Sequence, residues 1–391
     1  MKVFTKKINN LYPKIKLSDE SYEIIPSGSP EVGFGESLLS PTESRWGQLY
    51  RKISSEGVVV EFELPNGIYS QSSDYFPVPQ PPFTSSYTSM IRKIGDKLYI
   101  GLGLISYANS EGNRFVGTYD LKSGEWNYPV LSMFPKNLYS TSHIVFDETK
   151  ILVTGIYDWD TTSYIPDTYV CDLEKGNTWK RMADRDEFSL GTDFSIAVIK
   201  HGDGLEYIHT FSGYSNQNVP PITRHLKSHH YYDPREDIWV ELPELPERIK
   251  FPYFYYTETE IYLFGGSIDV ALEDPILNTN VYRYTFASGW EVVGQADLEA
   301  ANIWHHCTNY YPCAIVDGKA YFEGYEQIDA TATYIHSIDV NTFELEYNVL
   351  AFPNEDYGGN MVEVDGAIFY TGSYAAPSYE EAPLMYFIKV R

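Results

Sequence analysis

The stretch "TETEIYLFGG", Thr257–Gly266, followed by "VYRYTFASGW", Val281–Trp290, decides the fold. The first piece is a polar turn, a short apolar strand and two glycines. The second is strand, turn, strand, ending on Trp. Runs of this length, rich in Tyr, Phe, Ile and Val and bounded by Gly and turn residues, read as β-strands.

The unit recurs along the chain, and a fixed repeat outranks any local motif. Its first half reappears as "SDESYEIIPSG" (18–28), "IGDKLYIGLG" (94–103), "DETKILVTG" (147–155), "GDGLEYIHTFSG" (202–213), "VDGKAYFEG" (316–324) and "VDGAIFYTG" (364–372). Its second half reappears as "TYDLKSGEW" (118–126), "DTYVCDLEKGNTWKRM" (167–182) and "YYDPREDIW" (231–239). Trp126, Trp179, Trp239 and Trp290 fall at the same place in four copies. Each repeat is therefore four antiparallel strands, the size of a β-propeller blade.

The reading is one all-β domain over 1–391, a seven-bladed β-propeller, with six blades as the alternative because the first repeat lacks the Trp. The blades run approximately 9–65, 84–131, 139–183, 188–246, 250–298, 308–352 and 357–391. The last has three strands, so the N-terminal strand 2–8, "KVFTKKI", is expected to supply its fourth and close the ring.

On these residues the chain resembles the kelch-repeat β-propeller family, whose marks are a Gly-Gly strand end, a Tyr-Asp pair and a Trp six to eight residues on. The double glycine survives at Gly265-Gly266. The resemblance implies the fold; its implication for function is broad, since such propellers include adaptors, sugar binders, oxidases and isomerases. The copper site of the galactose-oxidase-like members uses Tyr, His and Cys and is completed by an appended domain, which is not expected here. The E-x-x-x-D-x-x-x-H run of the iron-binding specifier proteins is missing from the sequence.

Composition narrows the partners. Fifty-four acidic residues against 29 basic ones give a net charge of −25. Nucleic acid is excluded as an expected partner, because phosphate binding needs clustered Lys and Arg. Three cysteines in 391 residues make no disulfide framework. No apolar run reaches the roughly 18 residues of a membrane span, so no membrane insertion is expected. The N-terminus lacks the apolar core of a secretory signal. The expected location is cytoplasmic, or a virion if the chain is viral.

In a four-stranded meander the turns joining strands one to two and three to four share one face. The two-to-three loops and the connections between blades share the other. The first set is short ("DG", "KSG", "PRED"). The second is long, as in "IYDWDTTSYIPD" (156–167) and "YSNQNVPPITRHLK" (214–227). Binding residues concentrate on long loops held by a rigid scaffold. The candidate ligand-binding residues are therefore Tyr107, Arg114, Trp159, Tyr164, Arg224, His225, Trp304, His305, Tyr310, Tyr325 and Tyr374. The aromatics offer π-faces to a sugar ring or anchors to a protein. The run "RHLKSHH" (224–230) reads as a basic spot that could receive an anion.

"IWHHCTNYYPC" (303–313) joins two blades on the same face. Its plain reading is loop, with Cys313 entering a core strand. The alternative is a metal set of His305, His306 and Cys307, which no zinc spacing supports. No cofactor and no catalytic residue is expected; no G-x-S-x-G, Walker loop, dinucleotide fingerprint or H-E-x-x-H is present. The sequence reads as a non-catalytic module that binds a protein or glycan through the long-loop face. The alternatives are a phage tail or virion subunit that contacts a receptor, and a metal-dependent or sugar-modifying propeller enzyme.

Overall fold

The computed structural model describes residues 3–5, 14–16, 21–24, 48–54, 57–63, 75–78, 87–106, 111–185, 195–213, 226–268, 276–296, 298, 312–325, 333–351, 360–371 and 385–388. Among them every regular element is a strand and every pairing is antiparallel. No helix there is long and apolar enough to cross a membrane.

Six sheets repeat one meander, a propeller-like array. The first holds Tyr87–Ile94, Lys97–Ser106, Glu111–Asp120 and Trp126–Asn127. The second holds Leu138–Phe146, Lys150–Asp158, Tyr169–Asp172 and Trp179–Arg181, with Ser163–Ile165 as a side hairpin. The third is Ser195–Lys200, Glu206–Phe211, His229–Asp233 and Ile238–Glu241. The fourth is Tyr253–Tyr256, Glu260–Phe264, Asn280–Thr285 and Gly289–Gln295. The fifth is Ala314–Val316, Lys319–Tyr325, Thr333–Asp339 and Leu345–Ala351.

The sixth sheet corrects an expectation. Asn360–Val364, Ala367–Thr371 and Met385–Ile388 are completed by Tyr75–Pro77, not by residues 2–8. Val3–Thr5 pairs instead with Lys14–Lys16. The first full meander begins at Tyr87, so a strand only ten residues upstream is the piece of chain nearest the sixth sheet's open edge. Pro77 is tolerated there because an outermost strand needs no N–H on its solvent side. The repeat expected at 9–65 forms a three-stranded sheet of Ser21–Ile24, Gln48–Ser54 and Gly57–Glu63.

The repeated letters have repeated jobs. Trp on the outer strand packs on Tyr of the strand before it: Tyr119–Trp126, Tyr232–Trp239 and Tyr284–Trp290 all have ring centroids 5.2 Å apart. In the second sheet Cys171 stands opposite Trp179, and Phe134 fills the space with an edge-on contact at 4.9 Å. The Asp that ends the third strand caps the outer turn. Asp120 Oδ1 accepts from the Lys122 and Ser123 amides, and Asp339 Oδ1 from those of Asn341 and Thr342. The "DG" turns at Asp317-Gly318 and Asp365-Gly366 have positive φ at both residues, the two-residue hairpin geometry that favours Asp-Gly.

Cores lie between sheets. Val116 and Leu102 of the first meet Ile151 and Val153 of the second. Ile144 and Leu152 of the second meet Ile196, Ile208 and Tyr232 of the third. The third and fourth share Phe211, Phe254 and Tyr284; the fourth and fifth share Tyr253, Phe264 and Phe322. The fifth and sixth share Tyr321 and Tyr370. Phe369 and Val364 of the sixth then meet Ile91 and Leu98 of the first. Cys313 packs in the fourth–fifth core, where burial pushes its thiol up to about 12.

The third–fourth interface also buries a polar chain. Trp290 Nε1 donates to His229 Nδ1 at 3.1 Å. His229 Nε2 lies 3.0 Å from His209 Nδ1, and His209 Nε2 lies 2.9 Å from His201 Nε2. Indole is a donor only, so it sets the direction. His229, accepting at Nδ1, carries its proton on Nε2 and donates to His209. His209 then donates from Nε2 to His201, whose proton sits on Nδ1. The Pro243 carbonyl also faces the His229 ring. His209 and His229 have no exposure at all. This corrects the reading of "RHLKSHH": His229 and His230 are interior residues of the third strand of their sheet, while Arg224 and His225 lie outside the described residues.

Candidate functional site

The long connection from the second strand to the third strand of the second sheet folds back as a hairpin. Ile156, Tyr157 and Asp158 pair with Ile165, Tyr164 and Ser163. Thr162 takes a left-handed conformation at φ 49° to turn the chain. Alternation along the hairpin puts Tyr157 and Tyr164 opposite each other, with ring centroids 5.0 Å apart and nearly perpendicular. Tyr157 meets Trp159 in the same edge-to-face manner at 5.6 Å. All three rings are half-buried, and the tip 160–163 is exposed.

The connection from the first sheet holds the hairpin in place. Asn137 accepts the Trp159 amide through its carbonyl at 2.7 Å. Its side chain accepts from Gly112 N at 2.8 Å and donates to Asp160 Oδ1 at 3.0 Å. A Cβ on Gly112 would stand 2.2 Å from the Leu138 carbonyl, so the close approach requires glycine. Arg114, on the neighbouring strand, donates from Nε to the Phe134 carbonyl at 2.7 Å.

The same connection carries two buried carboxylates, Asp158 and Asp167. Lys136 Nζ sits 3.6 Å from Asp158 and 3.8 Å from Asp167. Asp167 also accepts from Arg181 at 2.9 Å and from the Tyr169 hydroxyl at 2.9 Å. Burial, and then that bond to Asp167, push the Tyr169 phenol up. Asp167 in turn holds the Arg181 guanidinium up. The result is a surface of three aromatic edges and faces with the exposed carboxylate of Asp160 and hydroxyls of Thr161, Thr162 and Ser163 beside it. Such a surface can stack an apolar ring face and hydrogen-bond its polar substituents.

Lys136 is the keystone of the pair. Lys136→Met should lower stability by about 1–2 kcal/mol, because breaking a buried pair leaves an uncompensated charge and the ammonium's partial exposure, 30 %, screens part of that cost. Denaturant melts at pH 7 check this, with Lys136→Arg as the charge-keeping control.

Of the residues predicted from sequence, Arg114, Trp159 and Tyr164 are brought together at the junction of the first and second sheets. Tyr325 ends the strand Lys319–Tyr325, in the fifth sheet, away from this junction. Tyr107, Trp304, His305, His306, Cys307, Tyr310 and Tyr374 lie outside the described residues, as do Arg224 and His225. Among the described residues no group of three or more His, Cys, Asp or Glu could hold a metal ion. Sequence reading missed Lys136 and Asn137, whose only signal is their place in a blade-to-blade connection on the same face.

Neither a family model nor a curated protein sequence matches the chain. In fold it is similar to 577 chains of solved structures. One is the structure of YjhT, with a TM-score of 0.55 and 12 % sequence identity over 80 % of this chain and 97 % of that one. At that identity the likeness concerns the fold alone.

Proposed function

We propose that the six meanders are blades of a kelch-type propeller, ringed by contact between the sixth and first, and that the chain is a non-catalytic binding module. Its ligand is a glycan, recognised on the long-loop face by the hairpin 156–167. One observation carries the reading: Tyr157, Trp159 and Tyr164 form a half-exposed aromatic cluster on a hairpin that is anchored through its own Asp158 to Lys136. Both buried carboxylates are engaged by Lys136, Arg181, the Tyr169 hydroxyl or the Asp160 amide, which suits a rigid support for the rings. A protein ligand would use the same aromatics, but the density of hydroxyls and carboxylates around them favours a polyhydroxylated ring.

Glycan-array binding of wild type, Trp159→Ala and Tyr164→Ala tests the proposal. The wild type should retain a defined set of sugars. Loss of a central aromatic anchor costs about 2 kcal/mol or more, so each variant should bind those sugars at least tenfold more weakly. A wild type that retains none, or variants that bind like wild type, would sink it.

A further inference from the structure

The short-turn ends of the third and fourth sheets carry a feature that the long-loop site does not use. Four planar groups stack in a row. The Arg235 guanidinium lies 4.2 Å over the Tyr207 ring. Tyr207 stacks on His201 at 3.8 Å with an 11° tilt, and His201 stacks on Phe286 at 3.7 Å with an 18° tilt. Arg235 closes one end of the row and is fixed there by Asp233. At the other end Phe286 is 46 % exposed. Ile238, 47 % exposed, pairs with Asp233 and shares its side of the sheet; Leu205, also at this end, is 46 % exposed.

The charge around this apolar step is one-sided. Lys200, Arg235 and Arg283 are each already bonded to a carboxylate, from Glu258, Asp233 and Glu291 respectively. Asp203 and Glu236 are exposed in addition, in a chain of net charge −25. Two copies of such a surface repel, which disfavours self-association.

We propose that this end of the molecule docks a basic segment of another protein, through an arginine whose guanidinium stacks on Phe286 as Arg235 stacks on Tyr207. A planar cation is the group that both extends a stack and satisfies surrounding carboxylates; a lysine ammonium does only the second. The site is separate from the long-loop hairpin and does not depend on it.

Fluorescence anisotropy with two labelled peptides, Gly-Arg-Gly-Arg-Gly-Arg and Gly-Lys-Gly-Lys-Gly-Lys, tests the idea at about 0.15 M salt, where general charge attraction is damped. The arginine peptide should bind wild type about fivefold more tightly than the lysine peptide, the worth of an exposed cation–π contact. Phe286→Ala and Phe286→Leu, each shown to be folded by circular dichroism, should remove that preference, while Trp159→Ala keeps it. Three results would overturn the proposal. One is equal or absent binding of the two peptides. Another is an arginine preference that survives both Phe286 variants. The third is a wild-type dimer in sedimentation that Phe286→Ala dissolves, which would assign the patch to a second copy.

Discussion

His209→Ala should be among the most damaging single substitutions in this protein, lowering stability by about 3–5 kcal/mol. His209 is wholly buried between the third and fourth sheets, and both its ring nitrogens are bonded to other histidines. Alanine opens a cavity and leaves the facing nitrogens of His201 and His229 without that partner; each stranded buried polar group costs roughly 1–3 kcal/mol. For a chain of 391 residues the unfolding entropy is on the order of 0.8 kcal/mol/K, so the melting temperature should drop by about 4–6 °C. His209→Phe restores volume without the bonds, and the difference between the two melts separates packing from hydrogen bonding. A change under about 1 °C for both would mean that the chain of rings contributes nothing as a unit.

The same interface should make the protein acid-labile well above the carboxylate range. Burial holds His201 down to about 4 and His229 down to about 3, and holds His209 well below its ordinary value. His336, buried in the fifth sheet, is held down to about 4 by burial as well. Around His201, Asp203 and Asp233 oppose the shift and Arg235 adds to it; His230 and Arg185 add to that of His229. All of these folded values lie below the unfolded value of about 6.5. Between the two, the unfolded chain binds more protons. Stability is therefore full above pH 6.5 and is lost as pH falls from there through about 4. His336 alone accounts for about 3 kcal/mol over that window, a sizeable part of the stability of many domains. Melts from pH 7.5 to 4.5 should show a steep fall, and His201→Leu should flatten it. A melting temperature constant over that range would contradict neutral buried histidines.

The parts of the fold legible in the sequence are those whose chemistry is local. Tyr and Trp at fixed spacing meet across one turn, so Tyr119–Trp126 and Tyr284–Trp290 could be anticipated from spacing alone. So could Asp-Gly at 317–318 and 365–366, because two consecutive positive φ angles leave few other residues. Tyr75–Pro77 was not legible. It is three residues long, contains a proline, and adjoins "PVPQPPF"; its partner Met385–Ile388 is identified only by which edge remains open. "KVFTKKI" alternates better and was the better candidate on pattern. The histidine chain was invisible for a related reason. Positions 201, 209 and 229 share no sequence period; a hairpin and a long loop bring them to one side of a sheet. For the candidate site, loop length pointed to Trp159 and Tyr164, which the hairpin sets on either side of Tyr157. Lys136 escaped because it lies in the connection between two repeats, and sequence spacing gives no sign that it reaches Asp158 and Asp167.

The shared sixth sheet also imposes an order in time. During synthesis the first five meanders can each be finished from residues that leave the ribosome together. Tyr75–Pro77 emerges before all of them, yet its partner is made last. One strand must therefore wait, its backbone donors and acceptors served by water, while the rest of the array consolidates. Until Met385–Ile388 arrives, the unfinished molecule shows two strand edges that could recruit a neighbouring nascent chain, and loss of that strand would make the exposure permanent.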